Sequence, residues 1–546
     1  MRMRSPLCSA LRVGFNWDRL LLVLGLVLVT LLHAPSLTGG FTSDSLSIVS
    51  GCSKLGSFGE WWSWIGRQFV QGNQVVSHFY RPLGNLSLCS DYLLYGPMAG
   101  GWRLTQLVIH LLNGIMVYRL TRRLFSFGKN DSIAAPLAAL MFWLSPAAPE
   151  VSIWIAGRYD GLALLFSLLA IDRMLSLQPA GAALLFAFAL LSKESAMVTP
   201  GLLLLAAWWA AGQRDSQMSR INPVINHLLR ALRYWWPILL IFILYLVVRW
   251  LLYDTLFSIY QRGISWPPTV WLSKIPILGK ILLPAWRVQP VLYTAFWSLI
   301  VALSVLMFYT AIVSKNQRNR FILSSSWLLL TVGALLPHLH QASPVGQGIR
   351  LLYAGSAYFA LSFAPPLAGM LKGRKSWIRR AGLAITGLTL GFMAVAQYPA
   401  QRDWTYAVHY VPRLQRALYA ESAHIEHENW ALVLVPEHIG VALVGRHGQG
   451  ALVNPPFQPE SLLDRLVPFI GPDLEEWQTK ILNGIMYEIR GKNGEDVFWP
   501  KYYFCADPRS AGLIALNIEP DPDPAIWKTN WRSAVLGTPC ENYLLP

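Results

Sequence analysis

The sequence predicts a polytopic α-helical membrane protein of eleven spans followed by a small extracytoplasmic α/β domain. Three observations carry that reading. Of 546 residues 54% are hydrophobic and 14% charged, with a mean hydropathy of +0.39, too apolar for a soluble chain of this size. The net charge of +16 is unevenly divided: residues 398–546 hold 12 Lys and Arg against 18 Asp and Glu, which leaves 33 cations and only 11 acids before them. Those 33 cations are dispersed in short clusters between apolar segments, as in loops retained in the cytoplasm, and not gathered into a nucleic-acid-binding face.

The elements follow in order. Arg2, Arg4, Arg12 and Arg19 precede the apolar stretch Leu20–Leu32, and no A-x-A cleavage site follows, so this reads as an uncleaved first span with a cytoplasmic N-terminus. Further apolar segments cover 101–118, 133–149, 161–176, 179–191, 196–212, 235–253, 291–313, 321–337, 351–371 and 381–398. With one crossing each, the clusters around Arg122, Arg220, Arg318 and Arg379 all fall on one side, which the positive-inside rule makes cytoplasmic. Lys193 and Glu194 interrupt the run 179–212, and the short piece before them suits a half-span or broken helix. Counting two spans there keeps every basic cluster inside and the acidic tail outside.

Residues 1–400 thus form the membrane domain and 401–546 the extracytoplasmic one. The outer loops 37–100 and 254–290 are long and rich in Trp, Tyr, Pro and Gly; WWSWIGRQF (Trp61–Phe69) and SWPPTVW (Ser265–Trp271) suit amphipathic helices at the interface. In the tail, WALVLV (Trp430–Val435) and GVALVG (Gly440–Gly445) read as strands between turns. Cys52, Cys89, Cys505 and Cys540 face outward; Cys505 and Cys540 can pair in an oxidising compartment, although spacing alone leaves the pairing open.

Seven of the eleven acids lie on the outer side or at outer span ends: Asp44, Glu60, Asp91, Glu150, Asp160, Glu194 and Asp254. Arg81, Arg158, Lys193 and Arg350 are interleaved with them. Ionisable groups within spans are costly and face a cavity or a partner, so charges of both signs converging at one boundary imply a polar pocket there.

Six stretches, in order, carry a resemblance: FTSDS with Asp44, HFYRPL (His78–Leu83), QLVIHLLNGIMVY (Gln106–Tyr118), SPAAPEVSIWIAGRYDGLALLF (Ser145–Phe166), LLSKESAMVTP (Leu190–Pro200) and GIRLLYAGSAYF (Gly348–Phe359). Over about residues 15–360 the chain resembles the GT-C superfamily of polyprenyl-phosphate-sugar-dependent glycosyltransferases, most closely the protein O-mannosyltransferase-like branch that includes the transmembrane-and-TPR enzymes and their bacterial relatives. It departs from them at Ser43 and Ser45, where relatives often have adjacent acids, and at Ala147, where a His is common; no 34-residue repeat follows the spans.

The resemblance implies sugar transfer from an undecaprenyl- or dolichyl-phosphate-linked monosaccharide, with inversion, to a protein, lipid or glycan acceptor. Asp44 is the candidate general base, the other reading being a helix cap. Arg350 is the first candidate for the lipid phosphate, against a snorkelling anchor. Lys193 is a second phosphate contact oriented by Glu194, or the two form an ion pair sealing a broken helix. Arg81, before Pro82, is an anchor of the first outer loop or a phosphate or sugar contact, and Arg158 is a further donor-site candidate. Glu150 and Asp160, flanking WIAGR, either hold a divalent cation as oxygen ligands or balance Arg81 and Arg158. His338 and His340 are candidates for phosphate or metal contact, and His110 reads as a packing residue. The other function classes are a lipid or solute transporter, against which stands the lack of an apparent internal repeat, and a GT-C scaffold without catalysis. The match to bacterial relatives points to a bacterial inner membrane.

Overall fold

The computed structural model describes residues 17–65, 79–125, 133–214, 223–254, 290–313, 315–336, 338, 348–373, 375–426, 429–446, 448–470, 500–519 and 524–543. His340, His78, Gly66–Phe69 and the second outer loop beyond Asp254, with its SWPPTVW stretch, lie outside the described residues.

Every apolar segment of the sequence contains a helix. In chain order the helices are α1 (Trp17–Leu37), α2 (Asp44–Cys52), α3 (Phe58–Ile65), α4 (Pro82–Tyr95), α5 (Ala99–Phe125), α6 (Ala134–Trp143), α7 (Ala148–Ser152), α8 (Arg158–Leu175), α9 (Pro179–Ser192), α10 (Thr199–Arg214), α11 (Pro223–Tyr253), α12 (Pro290–Val313), α13 (Lys315–Leu335), α14 (Tyr353–Leu371) and α15 (Ser376–Ser422). Among the described residues five stretches, Asp18–Leu37, Glu194–Gln213, His227–Tyr253, Ile349–Leu371 and Ser376–Ser422, are long and apolar enough to cross a membrane. Leu24, Leu31, Leu240 and Leu251 stand exposed on α1 and α11, an outward face suited to lipid. This is an integral membrane protein.

Two segments depart from simple spans. α6 has only 10 residues, about 15 Å at 1.5 Å per residue and half of a bilayer's hydrocarbon core. The segment 133–149 expected as one span is therefore not a single helix: the chain turns at Ser145–Ala147, and Pro146 and Pro149, which cannot donate to a preceding turn, lie where it would have continued. α9 has 14 residues and ends where Lys193 becomes extended (φ −162°, ψ 143°), before a 3-10 turn over Glu194–Val198 leads into α10. This is the broken helix expected there.

Small residues bring the helices together. A Cβ on Gly114 of α5 would stand 1.9 Å from Trp143 Nε1 of α6, so only glycine admits that contact. Ala170 of α8 and Ala182 and Ala189 of α9 are fully buried where this antiparallel pair packs.

α15 runs 47 residues, through positions 400 and 401 without a break. That is about 70 Å of helix, more than twice the hydrocarbon thickness. Its second half, with Trp404, Val408, Val411 and Leu414 fully buried, joins a core shared with the C-terminal residues. The strands there are β1 (Ala431–Val435), β2 (His438–Ile439), β3 (Ala442–Leu443), β4 (Leu466–Ile470), β5 (Tyr502–Ala506) and β6 (Leu513–Leu516), followed by α16 (Pro524–Val535). The main sheet has the order β4-β1-β5-β6, with β1 parallel to β4 and β5, and β6 antiparallel to β5. Ala431 pairs with Leu466 on one side and Tyr502 on the other.

β1 is apolar at every position because both its faces are covered. Ala431, Val433 and Val435 join the core containing α15, while Leu432 and Leu434 join Trp531 of α16. The second expected strand, Gly440–Gly445, is reduced to β3, one side of a two-residue-strand hairpin; the chain reverses at Gly440, whose φ of 60° lies in the left-handed region. Cys505–Cys540 form a disulfide between β5 and the chain end, and Cys52–Cys89, a pairing the sequence left open, ties α2 to α4.

Candidate active site

The site begins with a short, tightly constrained loop. Pro412 of α15 lacks an N–H, so the Val408 carbonyl one turn earlier loses its helical donor. The Gly40 N–H fills that vacancy, donating to Val408 O at 2.6 Å. The approach requires glycine, since a Cβ on Gly40 would stand 2.3 Å from Pro412 Cγ. From the other side Arg103 of α5, fully buried, donates to the carbonyls of Gly39 (2.7 Å) and Gly40. Ser43 then adopts φ 51°, ψ −137°, a conformation that costs a non-glycine residue about 1–3 kcal/mol and persists only where its surroundings hold it. Two bonds hold it here: Ser43 N–H donates to Val444 O (2.7 Å) and its hydroxyl to Arg446 O (2.8 Å). Asp44 follows as the first residue of α2.

Asp44 lines a cavity of about 360 Å³ together with Arg81, Trp154, Asp160, Lys193, Glu194, His338, Arg350 and Tyr353. The cavity continues into an apolar part between α8, α10, α13 and α14, formed by Leu164, Leu202, Leu335 and Tyr358 among others. It is charged at one end and hydrocarbon-like at the other. The charged end sits where α8, α10 and α14 begin and α13 finishes. The basic ends lie opposite, where Asp172 takes Arg119 at 3.0 Å and Arg123 at 2.9 Å.

Arg81, Lys193 and Arg350 each have an acidic partner. Arg81 makes a two-point pair with Glu194 (Nε to Oε2 2.9 Å, Nη2 to Oε1 2.5 Å) and lies over Phe79 at 4.2 Å. Lys193 reaches both Asp160 oxygens, at 2.7 and 2.6 Å. Arg350 binds Glu150 twice, through its guanidinium and through its backbone N–H at 2.9 Å, and its guanidinium carbon stands 4.9 Å over Trp154.

These pairings differ from those the sequence suggested. Lys193 does not pair with its neighbour Glu194, because the extended backbone at Lys193 sends successive side chains to opposite sides. Glu150 and Asp160 do not balance Arg81 and Arg158; they hold Arg350 and Lys193. Arg158 and Asp160 are two residues apart on α8, about 200° around it, so one faces the cavity and the other turns away. Arg158 lies outside the cavity lining, fully buried, paired with Asp91 at 2.5 Å and bonded to Gln106 (3.1 Å), Trp102 O (2.7 Å) and Ser87 O (3.3 Å). Burial raises the Asp91 carboxyl above its ordinary range, against the pull of Arg158. Glu150 sits behind Arg350 and not in the lining.

Sequence reasoning missed Trp154 and Tyr353. Tyr353 shares a 2.9 Å hydrogen bond with His110, whose place in the interior matches its reading as a packing residue. The SPAAPEVSIW stretch could have flagged Trp154. Among the described residues the candidate ligands do not form a divalent-cation site: Glu150, Asp160 and Glu194 each pair with a different cation, and no three His, Cys, Asp or Glu side chains stand together as a metal site.

No protein-family model and no curated protein matches this chain. Among solved structures it is similar to ArnT from Cupriavidus metallidurans bound to undecaprenyl phosphate, with a TM-score of 0.44 and 12% identity over 90% of this chain and 93% of that one. The apo state of the same protein gives a TM-score of 0.46 at the same identity and coverage. The archaeal oligosaccharyltransferase AglB from Archaeoglobus fulgidus, in complex with an inhibitory peptide and a dolichol-phosphate, gives 0.40 at 11% identity, over 76% of this chain and 62% of that one. At such distances no site residue is carried over.

Proposed function

We propose that this protein is a GT-C glycosyltransferase, of the protein O-mannosyltransferase-like branch, moving a monosaccharide from a polyprenyl-phosphate donor to an acceptor hydroxyl at the outer face of a bacterial inner membrane. The observation that carries the reading is the cavity itself: Asp44 stands there with three cations, Arg81, Lys193 and Arg350, two of which are held by the lining acids Glu194 and Asp160, around a charged end that continues into an apolar part. A lipid phosphate needs both halves of that environment. The two disulfides support an oxidising, extracytoplasmic side for α2, α4 and the C-terminal domain.

In this reading Asp44 takes the proton of the acceptor hydroxyl as its oxygen attacks the anomeric carbon. The bond from that carbon to the phosphate oxygen breaks with inversion, and the departing lipid phosphate keeps the electron pair. Arg350 and Arg81 stabilise the charge that develops on it; a guanidinium has five N–H donors and can serve a carboxylate and a phosphate together. Asp160 and Glu194 hold Lys193 and Arg81 in place while the mouth is empty.

The test is transfer by purified full-length protein from radiolabelled undecaprenyl-phosphate and dolichyl-phosphate sugars, with Asp44→Asn beside wild type. Loss of about 10²-fold or more in kcat is expected from removing a general base. Wild-type turnover by Asp44→Asn would remove Asp44 from the mechanism. No transfer from any lipid donor would favour transport or a scaffold role.

A further inference from the structure

The C-terminal domain reaches the loop that carries Asp44 at several points. Val444 O accepts the Ser43 N–H, Arg446 O accepts the Ser43 hydroxyl, and a Cβ on Gly448 would stand 2.2 Å from Ser43 O and 2.9 Å from Ser43 C. Gly448 thus lies flat against the peptide that joins Ser43 to Asp44. Phe41 packs on Phe457 with ring centroids 5.7 Å apart, and Ser50 Oγ donates to Pro455 O at 3.4 Å. The hairpin that presents Val444 is itself fixed to α15, where Asp403 Oδ2 accepts the Val441 N–H at 3.0 Å. Thr42, Ser43 and Asp44 are all buried by this arrangement.

We propose that the C-terminal domain is a positioning element of the active site: through Val444, Arg446 and Gly448 it clamps the Ser43–Asp44 peptide and so sets where the Asp44 carboxylate stands. The inference rests on Asp44 being the base of the proposed reaction. Ser43 supports it independently, because a left-handed serine relaxes unless something outside the loop holds it. The domain therefore has a catalytic duty whatever acceptor it also meets. Ser43 and Gly448 are positioning residues, since neither lines the cavity.

The experiment compares Gly448→Ala with Gly450→Ala in full-length protein. Gly448 has an ordinary negative φ of −126°, so alanine adds no backbone strain of its own, only the collision with Ser43 and a close approach to Leu46 Cβ (3.3 Å) on the same helix start. A Cβ on Gly450 would meet nothing within 4 Å, which makes it the control on the same turn. Gly448→Ala is expected to lower kcat by about 10²-fold, the cost of misplacing a reacting group by about 1 Å, with the donor KM unchanged. Gly450→Ala is expected to match wild type. Hydrogen exchange over residues 41–48, which needs no turnover, is expected to accelerate in Gly448→Ala alone.

Unchanged exchange in Gly448→Ala overturns the clamp. Wild-type kcat in Gly448→Ala beside an inactive Asp44→Asn overturns the positioning role while sparing the base assignment. Full turnover by Asp44→Asn overturns that assignment, and the proposal with it.

Discussion

Replacing Glu150 by glutamine tests how the site holds its cations. Glu150 is 1% exposed and gives one oxygen to the Arg350 guanidinium and the other to the Arg350 backbone N–H. Glutamine keeps the volume and one acceptor but turns an NH2 group toward a donor. One charge-assisted bond is lost, worth about 1.5–3 kcal/mol, and a donor is left facing a donor. The Arg350 side chain is 21% exposed, so the cost falls short of the full 3–5 kcal/mol for breaking a wholly buried pair; about 2–3 kcal/mol is expected. Were all of it expressed in the transition state, kcat would fall about 30- to 200-fold. The assay is steady-state transfer with varied lipid donor and a thermal melt of the same preparation, each repeated in EDTA. Because Glu150 is committed to Arg350, EDTA is expected to leave wild-type turnover unchanged. A Glu150→Gln protein with wild-type kcat and melting temperature, or wild-type activity abolished by EDTA and restored by a divalent cation, would refute the reasoning.

Two further outcomes follow from the fold. Arg158→Met strands Asp91 and is expected to destabilise by about 3–5 kcal/mol, whereas the Asp91→Asn, Arg158→Met double variant recovers most of that; melting temperatures close the cycle, and equal loss in the single and double variants would deny the pair. Because Arg158 stands outside the cavity, the protein that does fold is expected to keep its kcat. Replacing Cys52 and Cys89 by serine opens a loop of separation 37 and is expected to cost about 4 kcal/mol by loop-closure entropy; a melting temperature equal to wild type, or one insensitive to reductant in wild type, would show that the bond contributes nothing.

Much of the fold was legible because hydrophobic runs are local signals. Apolar segments became helices, the Lys193–Glu194 interruption became a helix break, and the tail became a small α/β unit. The failures were local too. The segment 133–149 looked like one span because its prolines weigh little in hydropathy, and Gly440–Gly445 looked like a strand until its first glycine made the turn. α15 passed through residue 400 because its apolar face continues against the C-terminal core after its lipid-facing character ends.

The sequence by itself determined that charges of both signs gather at one boundary, since side and depth follow from hydropathy and loop charge. Only the tertiary structure decided which charge meets which. Lys193 pairs with Asp160 across 33 residues, Arg81 with Glu194 across 113 and Arg350 with Glu150 across 200. Such partners are chosen by how helices pack and turn, which no short window of sequence contains. The same holds for Asp44. Its presence outside the first span was plain in the chain, but its position depends on a carbonyl released by Pro412 and on a peptide pressed against Gly448, both supplied from some 400 residues away.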